Sequence, residues 1–356
     1  MASLFEPFTI RGVKLKNRIG LSPMCQDSAE EGLVNDWHII HFGSRAIGGV
    51  GLIIVEATAV EARGRITPAD LGIWDNRHVA GLNRIVNTVH AAGAVVALQI
   101  AHAGRKASTA IPSQGGVPLS MDYGGWQVVG PSEIPFTPDH PNPHILNTSE
   151  IRSIENAFAE AAVRAVDAEF DIVEIHAAHG YLISSFLSPL ANRRTDKYGG
   201  SFYNRCRFLL ETVQSVRAEW PEEKPLLVRL SCTDWKEGGW TIEETVELAR
   251  LLKNQGVDII DCSSGGNVPS ESPIRIEPGY QVPFSERVRN EAGVATAAVG
   301  MITNPDQAEA VIANGQADLV LLGRELLRNP YWAHHAALEL HADAPLPIQY
   351  IRAFKR

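Results

Sequence analysis

Cysteine is scarce: the chain has four, Cys25, Cys206, Cys232 and Cys262, widely separated and without a C-x-x-C pair. That spacing excludes the usual zinc, iron–sulfur and redox-dithiol frameworks and leaves reduced thiols as the default. Long apolar runs are missing as well. Glu6, Pro7 and Arg11 break the partly apolar start, and no segment approaches the ~20 residues of a bilayer span, so a cytoplasmic protein without a membrane partner is expected. The formal net charge of −9 comes without a block of like charge, which favours solubility and offers no footprint for nucleic acid or an anionic membrane. A small neutral or cationic organic molecule is the better partner. Neither an internal linker nor a low-complexity tract divides the chain. Asn147-Thr148-Ser149 matches a glycosylation sequon, but without a secretory signal it reads as a helix entry with Ser149 as N-cap.

With 356 residues, 45% of them hydrophobic and 21% charged, the chain can bury a large core, either as one big α/β barrel or as two ordinary domains. Eight short aliphatic or β-branched runs decide between these: Ile19 to Ser22, Gly51 to Glu56, Val95 to Ile100, Asp171 to His176, Leu226 to Leu230, Val257 to Cys262, Ala295 to Val299 and Asp318 to Leu322. Leu52-Ile53-Ile54-Val55 and Leu319-Val320-Leu321-Leu322 are apolar at consecutive positions, the pattern of parallel strands covered on both faces. Amphipathic stretches lie between them, such as Ile151 to Ala168 and Ile242 to Asn254. Thr241 with Glu244 forms a capping box, Asn304-Pro305 opens a helix, and Gly256 and Gly315 follow helix ends. The alternation predicts an α/β fold, a single (β/α)8 TIM barrel over residues 1–356, with catalytic groups at the carboxyl ends of the strands. Residues 8–15 read as an N-terminal β-hairpin plugging the barrel bottom. The Pro- and Gly-rich stretch 108–147 reads as a lid or subdomain after the third strand, and 344–356 as a tail that docks on a partner subunit.

The tetrad His176-Ala177-Ala178-His179, followed by Gly180-Tyr181, concentrates two imidazoles and a phenol at the end of the fourth strand. Such a cluster can hold an oxygen anion and deliver a proton. Projecting other unusual residues onto strand ends adds Ser22-Pro23-Met24-Cys25 after the first, Ala57 and Thr58 after the second, Gln99 and His102 around the third and Arg229 on the fifth. An Arg inside a barrel strand is costly to bury unless it faces an anion or an electron-rich ring. Ser263-Ser264-Gly265-Gly266 follow the sixth strand, with Ser264 and Gly265 expected at the cofactor, Gly300 the seventh and Gly323-Arg324 the eighth. Each glycine alone could serve only turn geometry; together, after consecutive strands, they point to the phosphate of a cofactor. A metal on His176 and His179 lacks a carboxylate or thiol nearby to complete its shell, so no metal is expected. Cys25 could be an inert core thiol, although its strand-end position argues for the site. A flavin-free aldolase or isomerase would need a metal or a Schiff-base lysine, and no lysine occupies a predicted strand end. A non-catalytic flavin carrier would need neither Tyr181 nor the paired histidines.

The chain resembles the old yellow enzyme family of FMN-dependent ene-reductases, and within it the thermophilic-like, bacterial xenobiotic reductase subgroup. The resemblance rests on Ser22-Pro23-Met24-Cys25, on the runs Gly51 to Ala57, Gln99 to Lys106, His176 to Leu182, Asn192 to Arg205 and Asp261 to Gly265, and on Gly323-Arg324-Glu325-Leu326-Leu327. It implies tightly bound FMN on Ser22 to Cys25, Ala57, Gln99, Arg229 and Gly323-Arg324, with Gly300 near the phosphate, and NADPH or NADH as reductant. It also implies that His176 and His179 hold the substrate oxygen, that Tyr181 donates the proton and that Cys25 tunes the flavin. The implied reaction is reduction of the C=C bond of activated alkenes, namely α,β-unsaturated carbonyls, maleimides and nitroalkenes, by hydride from flavin N5. Arg352 resembles the arginine that subgroup members insert into a neighbouring subunit, which implies a homodimer or homotetramer. The subgroup commonly has a pocket-lining tyrosine two positions after the cysteine; here Asp27 stands there, and a carboxylate would enlarge the pocket and disfavour anionic substrates.

Overall fold

The computed structural model describes residues 3–269, 274 and 276–354. Positions 355 and 356 of the expected tail lie outside the described residues. Eight strands close into a barrel: β1 (Ile19–Leu21), β2 (Leu52–Ala59), β3 (Val95–Ala101), β4 (Ile172–Ala177), β5 (Leu226–Ser231), β6 (Ile259–Ser263), β7 (Ala295–Val299) and β8 (Leu319–Leu322). Every pairing is parallel, each strand lies beside its neighbours in sequence, and β8 returns to β1 through Leu322↔Leu21. This is the (β/α)8 barrel that the eight aliphatic runs predict. Those runs are apolar at successive positions because both faces are covered, and all eight residues of β2 are buried.

The inward face carries its own packed column, including Leu52, Ile54, Ile172, Leu227, Ile259 and Leu321. A hairpin of Phe8–Ile10 and Val13–Leu15, paired antiparallel with Phe8↔Leu15, inserts Ile10 and Leu15 into that same cluster. Burying such side chains stabilises by roughly 1.5–3 kcal/mol each and seals the end of the barrel opposite the strand termini.

Helices α1 (Asp36–Ile47), α2 (Val79–Ala91) and α3 (Thr148–Asp167) precede a short α4 (Leu182–Leu187) that no periodicity announced. Four more, α5 (Phe202–Glu219), α6 (Ile242–Asn254), α7 (Val282–Ala292) and α8 (Pro305–Ala313), continue the outer layer, and α9 (Arg324–Arg328), α10 (Trp332–Glu339) and α11 (Ile351–Phe354) follow the last strand, with Trp332, Ala333 and Ala336 of α10 packed into the core. Thr241 caps α6 in a box with Glu244, and Asn304 caps α8, as their sequences predict. The cap of α3 is Asn147 and not Ser149: the Asn147 carboxamide accepts from Ser149 and Glu150 N–H, and Glu150 answers the Asn147 N–H, which sets the helix start two residues earlier.

Residues 108–147 form two single 3-10 turns and a small parallel pair, Val129–Gly130 with His144–Ile145. The buried Arg105 guanidinium ties this segment down through the carbonyls of Ile134 and Pro135. Among the described residues no helix is long and apolar enough to cross a membrane.

Candidate active site

Two adjoining cavities open at the carboxyl ends of the strands, of about 410 and 270 Å³, and share Arg229, Gly323 and Arg324 in their walls. A larger groove of about 1060 Å³ runs outside the barrel between α1, α2 and residues 345–350, but it holds none of the sequence-predicted site residues. Chemistry and not size identifies the site.

The tetrad turn is built by interlocked backbones. After β4 the chain reverses through His179 (φ 61) and Gly180 (φ 73), both left-handed. A Cβ on Gly180 would lie 2.2 Å from the Gly266 carbonyl oxygen, and one on Gly266 would lie 2.7 Å from the His179 Cα, so the two loops meet where only glycine fits. The left-handed His179 is held on both sides: its N–H donates to Ser231 Oγ at 2.8 Å and its carbonyl accepts from Lys106 Nζ at 2.9 Å.

The three rings stand edge to face, with His176 central: its centroid is 5.2 Å from that of His179 and 5.1 Å from that of Tyr181. The Ala178 N–H donates to His176 Nδ1 at 3.2 Å, which leaves the remaining ring proton on Nε2. His179 Nε2 lies 2.7 Å from Ser263 Oγ; when that hydroxyl donates, the His179 proton resides on Nδ1. Burial, then the Arg229 charge, holds both imidazoles well below their ordinary pKa, so they are neutral donors at pH 7. Burial pushes the Tyr181 phenol up, with Cys25, Asp70 and Asp27 adding to it, so it stays protonated. Burial and then the acids Asp70, Glu56 and Asp27 raise the Cys25 thiol in the same way, which makes it a neutral neighbour rather than a thiolate.

Beneath the rings lies a charged network inside the barrel. Arg229 Nε is 2.9 Å from Asp261 Oδ2, close enough for an ion pair, yet off the line of a hydrogen bond, so both atoms lack a hydrogen-bond partner. Its Nη2 donates to Ser22 Oγ at 3.3 Å. Glu174, fully buried, accepts from Gln99 Nε2 at 2.8 Å and is pushed up to about 8 by burial and then by Asp261. Burial raises Asp261 as well, against the pull of Arg229 at 2.9 Å; the acid in contact with the guanidinium is the better placed to ionise, and Glu174 to keep its proton.

Of the sequence-predicted residues, Ser22, Pro23, Met24, Cys25, Ala57, Gln99, His176, His179, Tyr181, Arg229, Gly323 and Arg324 line the larger cavity, and Gly300 lines the smaller. Ser264 and Gly265 line neither. Side chains alternate along a strand, so Ser263, in phase with Asp261, points inward, while Ser264 turns away and donates to Gln281. Gly265 packs against Trp235 and gives its carbonyl to Ser231 Oγ. Asp27 is also set back from both cavities, partly buried at a left-handed position (φ 48) beside Thr67. Arg352 is exposed and lines neither cavity within its own chain.

Sequence reasoning missed Ser231, Glu174, Asp261 and Lys106, and it chose Ser264 where the adjacent Ser263 is the residue that faces the site. Period two from His176 and Arg229 was a sufficient signal for Glu174 and Ser231. A lysine does reach the site: Lys106, in a 3-10 turn beyond β3, donates to the carbonyls of His179 and Gly266 and sits 5.0 Å over the Tyr181 ring. Its amine, lowered to about 8 by burial and then by Arg105, is fixed between two acceptors and serves as a cation rather than a free nucleophile.

Residues 3–343 match the family described as NADH:flavin oxidoreductase / NADH oxidase. An NADPH dehydrogenase of Geobacillus thermodenitrificans is 49% identical over 354 residues, covering 99% of this chain and 98% of that protein. Among solved structures, morphinone reductase aligns with a TM-score of 0.79 at 29% identity, over 97% of this chain and 91% of its own. An old yellow enzyme homologue from Zymomonas mobilis aligns at 0.79 and 26%, over 98% and 96%. A 2-naphthoyl-CoA reductase aligns at 0.86 and 26% over 96% of this chain, which spans about half, 52%, of that longer protein.

Proposed function

Since the chain belongs to the NADH:flavin oxidoreductase / NADH oxidase family, the old yellow enzyme family, and is an oxidoreductase, we propose that it is an FMN-dependent ene-reductase using NADPH or NADH. Its substrates are activated alkenes: α,β-unsaturated carbonyls, maleimides and nitroalkenes. The observation that carries this reading is the pair of neutral imidazole donors and a protonated phenol set above a buried cation in one cavity.

The residues suit FMN. Arg229 Nε has no hydrogen-bond partner of its own, and the larger cavity, walled by Ser22 to Cys25 and Gln99, shares Arg229, Gly323 and Arg324 with a second one that Gly300 (φ 120) also lines. A flat ring suits the first and a phosphate suits the second. When bound, FMN supplies the redox step, taking hydride from the nicotinamide and passing it to the alkene β-carbon.

His176 and His179 donate hydrogen bonds to the substrate oxygen, on which negative charge grows. Being neutral, they polarise it without surrendering a proton, and loss of one such donor typically costs about 2.7–4 kcal/mol of barrier. Tyr181 keeps its proton until a carbon basic enough to take it is formed, then delivers it to the α-carbon. Arg229 lends permanent positive charge where a reduced ring gains negative charge, and the neutral Cys25 thiol flanks the same wall. The exposed Arg352 is available to complete a neighbour's site in a homodimer or homotetramer.

The purified protein should be yellow, bleach with anaerobic NADPH and recover with cyclohexenone. His176→Ala with His179→Ala should keep FMN yet lose the long-wavelength band of bound phenols. A preparation that stays colourless at saturating FMN, or an intact band in the double variant, would sink the assignment.

A further inference from the structure

We propose that Glu56, a buried acid that lines neither cavity of the site, is the positioning residue that fixes the Cys25 thiol in the wall of the larger one and so sets how that thiol tunes the flavin. This rests on the reading of Cys25 as the residue that tunes a bound flavin. Glu56 stands in β2, whose eight residues are all buried, and is itself 0% exposed. A carboxyl in such a run is costly unless its oxygens are used.

Strict alternation would aim this acid into the barrel. Leu52 and Ile54 of β2 belong to the inward column, and Glu56 is the next residue in that phase. The register with β3 breaks between Val55 and Thr58, and at that break Ala57 lines the cavity while Glu56 reaches His38 of α1 in the outer layer. An irregularity of this kind re-aims a side chain, and here it turns a carboxyl away from the cavity and towards the loop that follows β1.

That loop is where the acid acts. Glu56 Oε2 accepts at 2.5 Å from the Gln26 N–H, which belongs to the peptide joining Cys25 to Gln26. Met24 and Cys25, just before that peptide, line the larger cavity. The other bonds on the loop come from half-buried or exposed groups: Gln26 Nε2 donates to the Met24 carbonyl at 2.8 Å, Trp37 Nε1 to Gln26 Oε1 at 3.2 Å and Ser28 Oγ to the Gln26 carbonyl at 2.7 Å. Behind the acid, Oε1 faces His38 Nε2 at 3.4 Å, and neither atom has a hydrogen-bond partner among the described residues. The Asn35 N–H in turn donates to His38 Nδ1 at 3.1 Å, so Glu56 is wedged between a capped helix start and the Cys25 peptide.

Reach, and not charge, is what this arrangement uses. An acceptor oxygen at that point holds the Cys25 peptide whether it belongs to a carboxylate, a carboxylic acid or a carboxamide. A side chain shorter by one C–C bond, about 1.5 Å, leaves its oxygen beyond hydrogen-bond distance. The loop is then held by its half-buried and exposed bonds, and the thiol loses its fixed place in the cavity wall.

The test compares the FMN-loaded parent with Glu56→Gln, which keeps the reach and loses the acid, and Glu56→Asp, which keeps the acid and loses the reach. Cys25→Ala is measured alone and combined with Glu56→Asp. In Glu56→Asp, iodoacetamide should alkylate Cys25 about fivefold faster or more, the other three cysteines being buried. The flavin midpoint potential and the rate of reduction by NADPH should move in the direction set by Cys25→Ala, the rate by about twofold or more. Glu56→Gln should match the parent in all three readouts, and Glu56→Asp should add no further shift once Cys25 is replaced. A Glu56→Gln enzyme displaced in potential and alkylation rate would overturn the proposal, and that result is decisive even if Glu56→Asp folds poorly. Parent-like readouts in Glu56→Asp, or an equal shift with and without Cys25, would overturn it too. An unchanged potential in Cys25→Ala would overturn both the proposal and the tuning role of Cys25, while failure of every alkene to reoxidise the parent would remove the underlying function.

Discussion

Replacing Asp261 by Asn should unbalance the charge inside the barrel in a way that depends on pH. At 2.9 Å from Arg229 Nε, the Asp261 carboxylate attracts the guanidinium by about 6 kcal/mol at an effective dielectric of ~20. Breaking a buried pair from one side costs about 3–5 kcal/mol, because the remaining charge is left uncompensated. Glu174 modifies that loss. In the parent protein it is raised from 4.5 to about 8, so its contribution to stability is present in full below the unfolded value and is lost as pH rises through about 8. Asp261 is one cause of that rise and Arg229 opposes it. Without the Asp261 charge, Glu174 ionises at lower pH and becomes the counter-ion of Arg229. Asp261→Asn should therefore cost the upper end of that range at about pH 5 and the lower end at about pH 8, while Asp261→Asn with Glu174→Gln loses the upper figure at both. Guanidinium unfolding at the two pH values, with FMN at a fixed excess, reads the difference. Equal losses at both pH values in the single variant, or a double variant no worse than the single one at the higher pH, would refute the reasoning.

Ser263→Ala should remove the hydroxyl that sets the His179 proton, costing about 0.5–1.5 kcal/mol, a several-fold weaker Kd for phenolic ligands at unchanged FMN content; titration of the long-wavelength band checks it, and a Kd shift under about twofold contradicts it. Glu155 on α3, buried and facing Glu211 of α5, is pushed up to about 8 by burial and then by that neighbouring carboxylate. Its raised value means stability lost as pH rises through about 8, so parent Tm should decline across that window and Glu155→Gln should flatten the decline; identical pH slopes in melting curves of the two proteins would rule this out.

The barrel was legible because its strands are covered on both faces. Leu52-Ile53-Ile54-Val55 has no polar alternation to confuse with an antiparallel sheet, and the caps Thr241 and Asn304 mark helix starts with local hydrogen bonds. The tetrad was legible for a similar reason: strand end, imidazoles and left-handed turn are contiguous. Errors arose where one residue of phase matters. Ser263 and Ser264 are indistinguishable in composition, and only the strand ending at Ser263 decides which points inward. Asn147 and Ser149 pose the same problem at a helix start. Lys106 carried no local signal, since it arrives through a 3-10 turn and a backbone contact 160 residues away, on Gly266.

The polar floor of the barrel shows why such sites resist linear reading. Gln99 and Glu174 are 75 residues apart yet paired in register across β3 and β4, and Arg229 stands level with His176 on one side and Asp261 on the other. Each residue alone is an oddity in an apolar run; the closed ring of strands makes them neighbours. Closure also decides their protonation. Two acids and one guanidinium buried together cannot all be charged, and the acid outside the ion pair with Arg229, Glu174, keeps its proton. The net charge beneath the cavity is then zero, and Arg229 Nε, lacking a hydrogen-bond partner, is left to respond to any negative charge that develops above it.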